Sequence, residues 1–324
     1  MSNDAISWAN DVTTVSVIGA GTMGEGIAQS FAEAGMVVRL LDVDQASLDR
    51  CTGQIAANLS LGKEYGIAGD SAKAVLGRIK ATRSDSPVTQ VGDAQAVIET
   101  VPEISDLKRS IFADLDMLPE GVLLCSNTSS MTMSTITESM KSAARAVGLH
   151  YFNPAHIIPA VEVHRSKETS DDTVERAAAL LRRTGKVPLK IGKEIPGFAI
   201  NRLTGALSRE IAHLLDEGVV TAEALDEAVK ASLGFRLAWV GPMEGADYIG
   251  LDTDARVSGA VFGGLSNRED PPRELLEKVE RGDLGVKTGK GWYDYGDATR
   301  EQLLEQRNRK LLRQLAAWRE GQKS

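Results

Sequence analysis

The 324 residues exceed the size at which single cores stop growing, roughly 250 to 300 residues, so two domains are expected. With 42% hydrophobic and 25% charged residues the composition is that of an ordinary globular chain, which excludes disorder. The formal net charge of -8 and the lack of any Lys/Arg block exclude non-specific binding to nucleic acid.

Residues 1–14 lack the basic start and apolar run of a secretory signal. No uninterrupted apolar stretch approaches the roughly 20 residues that cross a bilayer, so a cytoplasmic protein with no membrane partner is expected. Val15 to Ile18 is a short apolar run closed by Gly19, which predicts a buried strand and a turn. A helix fits Met23 to Ala34, stopped by Gly35, and Val37 to Leu41 predicts a second strand ending at Asp42. Strand-like runs at Ala96 to Val101, Val122 to Cys125 and Ala146 to His150 then alternate with helical stretches, as a parallel sheet with crossover helices requires. Cys51 and Cys125 are too few for a disulfide framework or a cysteine metal site, and no metal is expected; Cys125 reads as core.

After Pro188-Leu189-Lys190-Ile191 the periodicity turns helical, with a strand signal only at Trp292-Tyr293. Helices are predicted over Phe198 to Asp216, Ala222 to Ser232, Met243 to Val261, Pro272 to Arg281 and Thr299 to Arg319. In the last, Leu304, Leu311, Leu315 and Trp318 form one apolar stripe. The expected architecture is therefore α/β: a Rossmann-type doubly wound parallel sheet over residues 1–192, then an all-α domain over 193–324.

Gly19-Ala20-Gly21-Thr22-Met23-Gly24 matches G-x-G-x-x-G between a predicted strand and a predicted helix, the context that gives this motif weight. Gly19 permits the tight turn, Gly21 lets backbone approach a pyrophosphate, Gly24 allows close helix–sheet packing, and the helix N-terminus faces the phosphates. Asp42, about twenty residues on, can accept from ribose hydroxyls and would repel a 2′-phosphate, which favours NAD; Arg39 lies near enough to leave NADP open. The other readings of the motif are a glycine-rich turn without a ligand, or a different nucleotide.

Of four histidines, at 150, 156, 164 and 213, His150 alone falls at the carboxyl end of a predicted sheet strand, where ligands of open α/β sheets bind. Twelve residues later Glu162 interrupts the apolar run Ile157 to Val163, and a carboxylate there needs a partner. Dehydrogenation of an alcohol needs a base for the hydroxyl proton, and imidazole, with an ordinary pKa near roughly 6.5, suits that task. Glu162 could orient the ring and stabilise the imidazolium, and oxidation should then quicken as pH rises. His156 is a candidate substrate contact, while His164 and His213 read as surface or packing residues.

The glycine motif, Ser126-Asn127-Thr128-Ser129-Ser130, His150-Tyr151-Phe152-Asn153-Pro154, Pro196-Gly197-Phe198-Ala199-Ile200-Asn201-Arg202 and Gly289-Lys290-Gly291-Trp292-Tyr293-Asp294-Tyr295 together resemble, in order and spacing, the 3-hydroxyacyl-CoA dehydrogenase family. The resemblance implies NAD as cofactor, a helical domain that dimerises with a second copy, the base at His150 and its supporting acid at Glu162. It adds Ser129 and Asn201 as donors to the substrate oxygen. It also assigns Glu103, Lys108 and Asn127, with Thr22 and Met23 of the glycine motif, to the cofactor. CoA-using members carry clustered lysines and a serine on the helix after the second strand. Here that stretch reads Asn58-Leu59-Ser60-Leu61-Gly62-Lys63-Glu64-Tyr65, with one lysine beside a glutamate, which argues against a CoA thioester. The segments from Asn153 to Pro159 and from Gly234 to Ala238 look closer to members acting on small free acids such as gulonate, carnitine and pyridine carboxylates. Arg236 could then hold a carboxylate. The expected activity is oxidation of a hydroxy acid, with a 3-hydroxyacyl-CoA substrate as the first alternative and a non-catalytic NAD-binding protein as the second.

Overall fold

The computed structural model describes residues 2–67 and 69–322. Helix α1 (Asn3–Asp11), capped by Ser2, leads into β1 (Thr14–Ile18), α2 (Thr22–Glu33), β2 (Val37–Asp42), α3 (Gln45–Glu64), α4 (Ala72–Arg78) and β3 (Ile79–Arg83). There follow β4 (Ala96–Glu99), α5 (Ser105–Leu115), β5 (Leu123–Ser126), the short α6 (Met133–Ile136), β6 (Ala146–Tyr151), β7 (Ala160–His164), α7 (Asp171–Arg183) and β8 (Val187–Ile191). The strands form one sheet in the order β3-β2-β1-β4-β5-β6-β7-β8, parallel throughout except for the antiparallel pair β6–β7. Every residue of β1, β4, β5 and β6 is buried, as strands covered by helices on both faces must be. Two apolar clusters make the covering layers: one joins Val15 and Val17 to Ile27, Phe31, Leu48 and Ile55, the other joins Ile18 and Val97 to Phe112, Leu115 and Met133.

The helical part contains α8 (Ile200–Asp216), α9 (Ala222–Ala231), α10 (Leu233–Leu237), α11 (Pro242–Ile249), α12 (Leu251–Val261), α13 (Arg273–Glu280) and α14 (Arg300–Gly321). Its chain contacts separate Ile200–Arg307 from a first unit that runs through Ala199 and takes back Asn308–Ala316 of α14. Three details differ from the periodicity. The helix expected from Met243 to Val261 breaks at Gly250, whose φ of +96° no helix tolerates. Trp292-Tyr293 forms no strand; the ladder there is reduced to single bridges between Gly285, Lys290 and Asp294. In α14 the fully buried residues are Asn308, Leu312 and Leu315; of the predicted stripe Leu315 is among them, while Leu304, Leu311 and Trp318 are half-buried. Among the described residues no helix is long and apolar enough to cross a membrane.

Candidate active site

The order β2-β1-β4 puts β2 on one side of β1 and β4 on the other, so the sense in which strands are added reverses at β1, the switch point at which open parallel sheets bind ligands beyond their carboxyl ends. Gly19 (φ +108°) makes the turn, and the Thr100 hydroxyl closes on it, donating to the Gly19 carbonyl at 2.9 Å. A Cβ at Gly24 would fall 1.9 Å from the Gly19 carbonyl oxygen, so α2 meets the strand end at a distance only glycine permits. Gly21, the N-cap of α2, has no side chain capping the helix and nothing within 4 Å of where its Cβ would stand. That combination, free helix N–H groups behind an open backbone, fits a pyrophosphate, with Thr22 and Met23 opening the helix beside it. Asp42 ends β2, and its Oδ2 accepts from the Ala20 N–H at 2.6 Å, which ties it to the glycine turn. Arg39, the cation that left NADP open, is paired with Asp93 at 2.6 Å.

A cluster of carboxylates and hydroxyls braces the next two strand ends. Glu99, wholly buried at the end of β4, accepts from Lys108 Nζ (2.7 Å), the Ser126 hydroxyl (2.7 Å) and the Val101 N–H (2.7 Å). Lys108 is itself wholly buried on α5 and also faces Glu103 Oε2 at 3.4 Å. Glu103 Oε1 takes the Thr128 hydroxyl (2.5 Å), the N–H groups of Ser129 and Ser130 (both 3.0 Å) and the Ser130 hydroxyl (2.9 Å). Burial pushes the Glu103 carboxyl up, but Thr128, Lys108 and Ser130 outweigh it and hold the pKa at about 2. The carboxylate therefore stays ionised at any working pH and fixes the serine-rich loop. Asn127 accepts from the Tyr151 N–H at 3.1 Å, joining that loop to β6.

His150 and Glu162 are partners in the β6–β7 ladder, opposite each other on one face. His150 Nδ1 lies 2.8 Å from Glu162 Oε2; because a carboxylate only accepts, this nitrogen carries the hydrogen, and in the neutral ring the lone pair is then on Nε2. Glu162 is wholly buried, and its other oxygen accepts from the Ala199 N–H at 2.8 Å. His150 lines a cavity of about 350 Å³ with Met23, Thr100, Glu103, Asn127, Ser129 and Phe152, all of the first unit. A larger, shallower hollow of about 560 Å³ in the helical unit is lined by Glu223, Asp226, Glu227, Lys230 and Tyr293, with no histidine.

The structure thus brings Gly19, Gly21, Thr22, Met23, Gly24, Asp42, Glu103, Lys108, Asn127, Ser129, His150 and Glu162 into one unit, around the carboxyl ends of β1, β4, β5 and β6. His156 follows the Asn153–Pro154 turn and packs by its backbone on α2, where Gly26 leaves room for it. Asn201 opens α8 and Arg236 lies on α10, both in the second unit. Arg236 has no ion-pair partner among the described residues. Sequence reasoning passed over Glu99, Thr100, Thr128 and Phe198. For Glu99 a signal existed: it is a lone carboxylate closing an apolar run, the same sign that exposed Glu162.

Comparison with known proteins identifies the family. The profile of the 3-hydroxyacyl-CoA dehydrogenase NAD binding domain matches residues 14–195, and that of the 3-hydroxyacyl-CoA dehydrogenase C-terminal domain matches residues 197–295. A 5-formyl-3-hydroxy-2-methylpyridine 4-carboxylate 5-dehydrogenase from Mesorhizobium japonicum is 33% identical over 302 residues, 93% of this chain and 96% of the relative. A probable 3-hydroxybutyryl-CoA dehydrogenase from Bacillus subtilis is 34% identical over 295 residues, 89% and 99% of the two chains. A crystal structure of a 5-dehydrogenase for the same pyridine carboxylate superposes with a TM-score of 0.85 at 33% identity, covering 93% of this chain and 96% of that one. The (S)-3-hydroxybutyryl-CoA dehydrogenase of Ralstonia eutropha superposes with a TM-score of 0.71 at 33% identity, covering 89% and 100%.

Proposed function

The chain belongs to the 3-hydroxyacyl-CoA dehydrogenase family and is an NAD-dependent oxidoreductase acting on a CH–OH group, and from that premise we propose that its substrate is a small free hydroxy acid. The observation that carries this is the chemistry of α3. Where CoA-using members carry a serine and clustered lysines, Asn58 is buried and donates to Glu25 at 2.8 Å, and Lys63 stands beside Glu64. Glu64 is in turn paired with Arg309 of α14 at 2.6 Å. That helix lies beyond residue 295, where the family's C-terminal domain ends, and its Asn308–Ala316 stretch packs with the first unit. A stretch whose asparagine meets Glu25 and whose single lysine stands beside Glu64 does not suit the phosphates of CoA, which need cations. The nearer fit of the pyridine carboxylate enzyme points the same way.

NAD, when bound, supplies the acceptor for the hydride. The part of this chain is to take the hydroxyl proton on His150 Nε2 while Glu162 holds Nδ1–H and balances the charge the ring gains. Ser129 lines the cavity, and it and Asn201 are the donors assigned to the substrate oxygen; Arg236 is assigned to the carboxylate. The test is NADH formation across 3-hydroxybutyryl-CoA, free 3-hydroxybutyrate, gulonate, carnitine and hydroxymethyl-pyridine carboxylates. Turnover of a free acid at least about a hundred-fold above the thioester in kcat/KM is expected; the reverse ranking would overturn the substrate assignment.

The helical unit is assigned to pairing with a second copy. Among its described apolar residues only Ala212 is buried, while Leu203, Phe235, Met243, Tyr248, Leu251 and Phe262 are each more than half exposed. So much apolar surface is what a permanent interface covers. Sedimentation equilibrium is expected to give twice the chain mass down to nanomolar concentration, and a monomer would contradict this assignment.

A further inference from the structure

A second histidine stands beneath the reacting pair. His164 lies two residues beyond Glu162 on β7, hence on the same face of the sheet, and pairs in register with Gly148 as Glu162 pairs with His150. A Cβ at Gly148 would fall 1.9 Å from its Nε2, so the ring occupies the room that glycine leaves. The side chain is wholly buried, and neither ring nitrogen has a hydrogen-bond partner among the described residues. Packing alone would be served better by an aliphatic residue, since an imidazole carries a donor and an acceptor that are costly to bury unpaired.

What the ring does touch is Phe198, stacked on it with centroids 4.0 Å apart and planes at 26°. Phe198 is 1% exposed and holds φ +50°, a left-handed conformation that bulky residues avoid, next to Gly197 at φ +77°. Its ring also leans on His150, centroids 5.4 Å apart. The residue after it is Ala199, whose N–H reaches Glu162 Oε1. The strained turn is therefore held from one side by the His164 stack and delivers a hydrogen bond on the other.

We propose that His164 is a positioning residue for proton transfer: its neutral ring clamps Phe198 so that Ala199 keeps its hydrogen bond to Glu162, and it brings no charge to compete with His150 for that carboxylate. The charged groups around it are His150, Glu162 and Glu103. Burial and then the nearness of His150 push its pKa down to about 3 against the pull of Glu103, so it stays neutral wherever His150 works.

The inference rests on the reading of His150 and Glu162 as the proton-transfer pair, and His164→Leu and His164→Phe test it separately. His164→Leu is expected to lower kcat by about ten- to a hundred-fold with NADH affinity within about twofold of wild type. The acid limb of kcat/KM should move to lower pH, because a loosened Glu162 stabilises the imidazolium less. His164→Phe, which keeps an aromatic face, should recover most of both. A wild-type pH profile in His164→Leu, whatever its melting temperature, or His164→Phe as defective as His164→Leu, would overturn the proposal. On the unsubstituted enzyme, 15N-histidine spectra should show one buried ring neutral and untitrating from about pH 5 to 9; protonation of His164 in that range would also overturn it. Turnover surviving in His150→Gln would instead sink the underlying pair assignment.

Discussion

His150→Gln is expected to lower turnover by about a hundred- to ten-thousand-fold, the range that a positioned general base contributes. Glutamine can still donate to Glu162, so the buried carboxylate that lies 2.8 Å from Nδ1 keeps a partner and the fold has no cause to fail. It cannot take a proton at neutral pH. The glycine turn and Asp42 are untouched, so NADH titrated by fluorescence should bind as before. The rise of the oxidation rate with pH should vanish with the base. Turnover within about threefold of wild type, or a persisting pH dependence, would mean that another group moves the proton.

Lys108→Met is expected to cost about 3–5 kcal/mol of stability, a large part of what holds any domain folded. The reason lies with Glu99, whose carboxylate is 0% exposed and meets the ammonium at 2.7 Å. With the lysine gone, a buried charge is left with only the Ser126 hydroxyl and the Val101 N–H. The double variant Glu99→Gln/Lys108→Met removes that charge and should recover most of the loss, an interaction well outside simple additivity. Urea denaturation of the four proteins measures it. Single and double variants equally unstable would show that lost packing, not the stranded carboxylate, is the cause.

The middle of the sheet was legible in the sequence because β1, β4, β5 and β6 are fully buried, mostly apolar runs, and periodicity reads such runs well. The edge strand β3 was not: of Ile79 to Arg83 only Ile79 is buried, so the run carries no apolar signature. In the helical part the turn at Gly250 splits one amphipathic period into α11 and α12, a break that periodicity alone does not register. At the site, Glu162 stood out as a charge within an apolar run. Lys108, which the resemblance assigned to the cofactor, is wholly buried against Glu99, a pairing that only the fold reveals. Phe198 was read as a motif letter and as the start of a helix that in fact begins at Ile200, since neither its left-handed backbone nor its stack on His164 leaves a trace in composition.

Because His150 and Glu162 face each other across neighbouring strands, their spacing is set by ladder register and not by the length of chain that joins them. The exposed side chains of the connection from Phe152 to Pro159 can change while the two rungs stay opposed, although its backbone is packed against α2 at Gly26. If the pair moves the proton as proposed, its geometry does not depend on the side chains of the bend that joins the two strands.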